Sequence, residues 1–333
     1  MPRWLRISLI VIATLSVVYL LGPKPADPEY NHALPPVPAA GPALDNYIAT
    51  KEARHLLKPD NQARIVWQDS GFHKTPYAVV YLHGFSASQE EGNPVHRNFA
   101  QKFGCNLYLS RLDGHGIDTS DPLLHMTAEG LWKDAEEALS IGKALGDKVI
   151  LVGTSTGGTL ALKLAAAYPR DVYAVINMSP NIAINDNLAF LANNPWGLQL
   201  ARLVNKGDFR RGKDTNPEVA KYWYNTYRLE AVVQLESLLE SSMTKETFEN
   251  IHQPVLNLYY YKDEQHQDPT VKVSAILQME EALGTPASLK EAIPVPNAGG
   301  HVMGCSLVAH DVPGVEKLIS DFAINKLNLT PIH

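Results

Sequence analysis

From about residue 45 to the end, short apolar runs of strand type alternate with stretches of helical spacing. The runs cover residues 63–68, 77–82, 106–110, 148–152, 171–178, 255–261 and 289–295. Between them, Leu131, Ala135, Leu139, Gly142 and Leu145 recur on one helical face after Thr127, a good cap. Residues 95–103 and 158–166 also read as helices. Strands separated by helix-length connections predict a mostly parallel sheet covered on both faces. One stretch breaks the rhythm: residues 181–250 carry helical patterns and no strong strand. In an open α/β sheet, a helical insertion there would lie over the carboxyl ends of the strands, where ligands bind. Tyr222, Trp223, Tyr224 and Tyr227 are expected either to line an acyl pocket in this cap or simply to pack its helices.

The first 22 residues follow a different pattern. Arg3 and Arg6 precede an uncharged, mostly apolar stretch from Ile7 to Leu21, and Gly22-Pro23 ends it. A basic start and an apolar centre describe a signal anchor or a signal peptide. With no small-x-small cleavage site directly after it, an uncleaved anchor is favoured. Basic residues at its start would keep that end cytoplasmic and place the rest across the membrane; cleavage would instead give a secreted protein. Seven prolines between Pro23 and Pro42 then predict an extended linker over residues 23–44, holding a body of residues 45–333 away from the bilayer.

Composition narrows the function. With 45% hydrophobic and 19% charged residues, the 333-residue chain has material for a substantial core. A formal net charge of -6 and the absence of a Lys/Arg run argue against nucleic acid as a partner. The only cysteines, Cys105 and Cys305, lack metal-site spacing and are expected to be separate thiols. No cofactor or metal is implied: there is no His-Glu-x-x-His, dinucleotide fingerprint or phosphate loop. Oligomeric state is not legible.

The chemistry centres on Gly153-Thr154-Ser155-Thr156-Gly157, between an apolar strand and an Ala/Leu helix. Strand, Gly-x-Ser-x-Gly, helix is the setting in which a serine becomes a nucleophile on a sharp turn. A serine hydroxyl needs a base, and the base needs an orienting acid. In this arrangement the chain order is serine, acid, histidine. His301, after Gly299-Gly300 and the last strand, has the best position for the base. Asp268, opening Asp-x-x-Val before a helix, is preferred as the acid, with Asp263 as its rival. The backbone N–H groups of Thr156 and of Phe85, in His83-Gly84-Phe85, are expected to bind the oxyanion. His83 is expected to brace that loop.

Together these pieces resemble the α/β-hydrolase superfamily, especially its carboxylesterase, monoacylglycerol lipase and lysophospholipase group. The match runs from about Tyr77 to the end through His83-Gly84-Phe85, Arg111-Leu112-Asp113-Gly114-His115-Gly116, Gly153 to Gly158, Asp268-x-x-Val271 and Gly300-His301. The resemblance implies an α/β-hydrolase sheet with a helical cap, a structural role for His115, and acyl transfer to water through Ser155, Asp268 and His301. Two departures stand out: a longer acid loop, and Tyr261-Lys262 where the family usually has a glycine.

The leading expectation is therefore an esterase or lipase acting on a small-molecule ester or lipid substrate. A peptidase or amidase of the same fold and a non-catalytic, membrane-anchored interaction module are the alternatives.

Overall fold

The computed structural model describes residues 2–212 and 216–332. Its helices, in chain order, are α1 (Arg3–Leu20), α2 (Pro42–Glu52), α3 (Val95–Lys102), α4 (Ala128–Leu145), α5 (Thr156–Ala167), α6 (Gly197–Asn205), α7 (Pro217–Tyr222), α8 (Leu229–Ser242), α9 (Lys245–Glu249), α10 (Val273–Ala282) and α11 (Val312–Asn325). The strands are β1 (Arg64–Val66), β2 (Thr75–Leu82), β3 (Asn106–Leu109), β4 (Gly146–Thr154), β5 (Val172–Met178), β6 (Phe209–Arg211), β7 (Thr226–Arg228), β8 (Val255–Tyr259), β9 (Tyr261–Asp263), β10 (His266–Gln267) and β11 (Lys290–Pro294).

Seven of these strands form one sheet in the order β1-β3-β2-β4-β5-β8-β11. Every neighbouring pair is parallel except β1 with β3. The seven apolar runs of the sequence are these seven strands, with ends displaced by a few residues. Strand β4 shows why the runs are continuous rather than alternating. Val149 and Leu151 join the core beneath α4 and α5, while Ile150 and Val152 join the opposite core beneath α3 and α11. Successive side chains point to opposite faces, and both faces of this parallel sheet are covered.

Helix α4 starts where expected: Thr127 Oγ1 accepts from the Gly130 amide at 2.9 Å. Helix α5 begins directly after Ser155. A Cβ on Gly157 would fall 1.8 Å from the Leu82 carbonyl oxygen, so only glycine lets α5 approach β2 this closely.

Between β5 and β8 the chain is mainly helical, with α6 to α9. It also contains a hairpin where no strong strand was expected: Phe209–Arg211 pairs antiparallel with Thr226–Arg228. Main-chain bonding holds these three-residue strands, which have no apolar run to reveal them in sequence.

The N-terminal region departs from expectation in one respect. Helix α1 buries none of its residues, and its mean hydropathy of 1.6 makes it apolar enough, over 18 residues, to cross a membrane. The proline-rich segment after it is extended, but it does not stand away from the body. Tyr30, Leu34 and Val37 pack against the main core. The Tyr30 hydroxyl lies 2.8 Å from Ser241 Oγ, and the Trp132 indole donates to the Asn31 carbonyl at 3.1 Å. Lys163 Nζ sits 3.1 Å from the centre of the Tyr30 ring. Helix α2 opens at Pro42, suited to a first helical turn, and buries Leu44 and Ile48. The linker's apolar side chains thus make it a strap on α4, α5 and α8 instead of a free spacer.

Candidate active site

The candidate residues converge on the carboxyl end of the sheet. Ser155 follows β4, the His83–Phe85 loop follows β2, Asp268 lies beyond β8, and His301 follows β11.

Ser155 has a positive φ, with φ 52° and ψ -117°, a backbone conformation that a non-glycine residue adopts only under constraint. Its amide donates to the Met178 carbonyl at 3.0 Å, and its carbonyl accepts from Gly158, Thr159 and Asn181. The bonds hold the turn from β5 and from α5 at once. The amide of Thr156 stands at the start of α5, where main-chain N–H groups lack intrahelical acceptors.

Asp268 and His301 are joined by a 2.8 Å contact between Oδ2 and Nδ1. Asp268 is fully buried, and its other oxygen accepts from the amides of Thr270 and Val271. Burial works to raise the Asp268 pKa, but the His301 charge, its hydrogen bond and the two amides outweigh burial and leave it lowered. Burial likewise works to lower the His301 pKa. The Asp268 charge and hydrogen bond, with a contribution from Glu91, raise it instead. Asp263 lies elsewhere: it is exposed and closes its own turn against His266 Nδ1 at 2.7 Å.

The loop after β2 is held by two neutral histidines. His83 Nδ1–H donates to the Gly84 carbonyl, while Nε2 accepts from the Leu112 amide at 3.1 Å. His115 Nδ1–H donates to the Asp113 carbonyl, and Nε2 accepts from the Ser86 amide at 2.9 Å. Burial pushes the His83 pKa down to about 4 and that of His115 well below its usual value, so both rings remain neutral acceptors. The amides flanking Phe85 are thereby engaged: Gly84 donates to Glu91 Oε2 at 2.5 Å and Ser86 donates to His115. Among the described residues, the Phe85 amide has no backbone or side-chain acceptor.

Glu91 escaped the sequence reading. It is buried, and burial pushes its pKa up to about 7 against the opposing effects of the Gly84 amide, the His301 charge and Trp223. It ties the site together. A Cβ added to Gly84 would lie 2.8 Å from Glu91 Oε2 and 3.1 Å from Ser155 Cβ, while the Glu91 charge acts on His301. In sequence, Glu91 is one of two adjacent glutamates in a polar turn, and no periodicity distinguishes the buried one from Glu90.

Beside His301 is a cleft of about 400 Å³, lined mainly by apolar surface from Val219, Trp223, Tyr224, Tyr227 and Val308, with Ser86 also in its wall. Tyr222 points elsewhere and bonds Asp60 at 3.2 Å. Among the described residues, no group of three or more His, Cys, Asp or Glu side chains is placed to hold a metal ion. Cys105 and Cys305 are separate buried thiols.

The family model described as "Serine aminopeptidase, S33" matches residues 73–267, more than half of the chain. The human serine hydrolase BPHL is 26% identical over 236 residues, covering 68% of this chain and 75% of that protein. Two solved structures share the architecture. One, described with the metagenome-derived lipolytic enzymes LipS and LipT, has a TM-score of 0.64 and 19% identity over 80% of this chain and 98% of that chain. The other, the monoacylglycerol lipase of Paleococcus ferrophilus, has a TM-score of 0.58 and 16% identity over 79% and 97% of the two chains. At such identities the likeness establishes the α/β-hydrolase fold, as the sequence motifs implied.

Proposed function

The chain belongs to the family described as serine aminopeptidase, S33, and is a serine hydrolase, and from that premise we propose that it cleaves carboxylic esters through an acyl-enzyme on Ser155. In this reading the Ser155 hydroxyl attacks the ester carbonyl and passes its proton to His301 Nε2. Asp268 fixes His301 with Nδ1–H toward the carboxylate, leaving Nε2 to accept. The oxyanion receives N–H groups from Phe85 and Thr156. The tetrahedral intermediate collapses, the alcohol leaves with the proton from His301, and water activated by the same ring releases the acid.

The observation that carries this reading is the pairing of a fully buried Asp268 with His301, in a chain whose Ser155 stands on a constrained turn at the same, carboxyl end of the sheet. The apolar cleft next to His301 supports an acyl or lipid-derived substrate over a charged one. We assign residues 181–250 as a cap over the site. We read α1 as a membrane-spanning anchor with the body on the non-cytoplasmic side, supported by its exposure, hydropathy and two N-terminal arginines.

A fluorophosphonate probe tests the chemistry: wild-type protein should label and Ser155→Ala should not. Labelling that survives the substitution removes Ser155 as nucleophile. Aminopeptidase action is the second reading, favoured by the family description. Graded acyl esters assayed beside aminoacyl amides distinguish the two.

A further inference from the structure

The geometry points to a second membrane contact, in which the outer face of α6 lies in the lipid interface beside the end of α1. It rests on the reading that α1 inserts and goes beyond it, because it concerns the catalytic body's own surface. Two hydrogen bonds fix the position. The Trp196 indole donates to the Val18 carbonyl, within the last turn of α1, at 3.0 Å. The Trp196 amide donates to the Pro23 carbonyl, just beyond that helix, also at 3.0 Å. Gly22 makes room for the indole, since a Cβ there would fall 2.1 Å from its nitrogen.

Length then places Trp196 relative to a bilayer. At roughly 1.5 Å per residue, the 18 residues of α1 reach about 27 Å, close to a hydrocarbon core of about 30 Å. With α1 across it, the Val18–Pro23 stretch stands at one surface, and Trp196 stands with it. Tryptophan is the residue favoured at that depth.

Helix α6 starts immediately after Trp196. Trp196, Leu200, Leu203 and Val204 follow the i, i+4, i+7, i+8 spacing of one helical face. All are exposed, Leu203 by 75% and Val204 by 79%. Leu188 and Phe190, on the approach to α6, add exposed apolar surface. The helix's own cation, Arg202, is off this face and paired with Asp208 and Glu230. An apolar face without charge, beginning where a membrane-length helix ends, suits lipid acyl chains. Such helices lie with their apolar side roughly 5–10 Å into the interface. Because α6 and the cleft-lining residues of α7 and β7 belong to one insertion, this contact would bring the cleft's outer wall to the source of a lipid substrate.

The test uses the full chain in phosphatidylcholine vesicles, with an environment-sensitive fluorophore at one introduced cysteine at a time. Leu203→Cys and Val204→Cys report the face, Ile12→Cys reports the anchor, and Lys317→Cys reports α11, on the opposite layer of the sheet. The native thiols are buried, with pKa values pushed up to about 12 for Cys105 and about 11 for Cys305, so they compete poorly for label. Spin-labelled lipid is expected to quench positions 203 and 204 roughly threefold and to leave 317 unchanged. Quenching at 12 without quenching at 203 and 204 overturns the α6 contact while sparing the anchor. Absence of quenching at all three positions overturns both. A second arm compares Leu203→Glu/Val204→Glu with the parent. About tenfold slower hydrolysis of a vesicle-held monoacyl ester, with a water-soluble short ester unchanged, supports delivery from the bilayer. Equal rates of parent and variant on both substrates overturn delivery. If no ester is hydrolysed at all, the fluorescence still decides the contact.

Discussion

Asp268 Oδ2 and His301 Nδ1 meet at 2.8 Å across 33 residues of sequence, and the carboxylate has no exposure to solvent. Its rival Asp263 is exposed and bonded to His266. If the proposed roles hold, Asp268→Asn should reduce kcat by about 10⁴-fold, because the amide favours the wrong histidine tautomer. Asp263→Asn should stay within about twofold, as surface changes usually do. Ester turnover of the two purified variants checks this, and the opposite ranking would move the acid to Asp263.

The pH dependence follows from the direction of the His301 shift. The ring must be neutral to take a proton, and its pKa is raised. The acid limb of kcat/KM should therefore have its midpoint above the ordinary histidine value of about 6.5. Asp268→Asn should move that limb to lower pH. Stability has two opposite limbs. The raised His301 pKa contributes stability that is complete below about 6.5 and lost as pH rises through the folded value. The lowered Asp268 pKa contributes stability present above about 3.9 and lost as pH falls through its folded value. A pH–rate profile with thermal melts across the same range reads both; an acid limb below 6 in the parent would contradict the geometry.

Glu91 separates charge from bonding. Glu91→Gln keeps an oxygen for the Gly84 amide and removes a negative charge facing His301. We expect a small downward move of the acid limb and kcat within about tenfold of the parent. Glu91→Ala leaves the Gly84 amide unpaired and frees the loop carrying Phe85. A loss of about 100-fold in kcat is expected, comparable to losing one oxyanion donor. Parallel losses in the two variants, without a pH shift, would reduce Glu91 to packing.

The strap predicts a stability effect remote from the chemistry. Tyr30→Ala removes a ring under Lys163, an edge contact with Trp132 and the bond to Ser241. Unfolding stability should fall by about 1–2 kcal/mol. Proteolysis within residues 23–40 should quicken. A variant that melts with the parent and resists protease equally would mean that the segment is not held by this contact.

Much of the architecture was legible before any coordinates. The inner strands β3, β2, β4, β5 and β8 announce themselves because burial on both faces demands a continuous apolar run, and the elbow because a sharp turn beside a helix demands small residues. Ser155 and His301 could be singled out for the same local reason. Asp263 and Asp268, by contrast, are both aspartates in one polar loop, and nothing local ranks them decisively. Their difference lies in burial and in which histidine the folded chain brings near.

What the sequence by itself determined is therefore the order of strands and helices, the serine's turn and the candidate partners of that serine, since these follow from short-range sterics and periodic burial. Only the tertiary structure paired Asp268 with His301, set Glu91 on the Gly84 amide, folded the proline segment down as a strap and placed Trp196 against the end of α1. Those contacts join residues from 7 to 211 positions apart. For the distant pairs, proximity comes from the packing of whole layers, which no local pattern encodes.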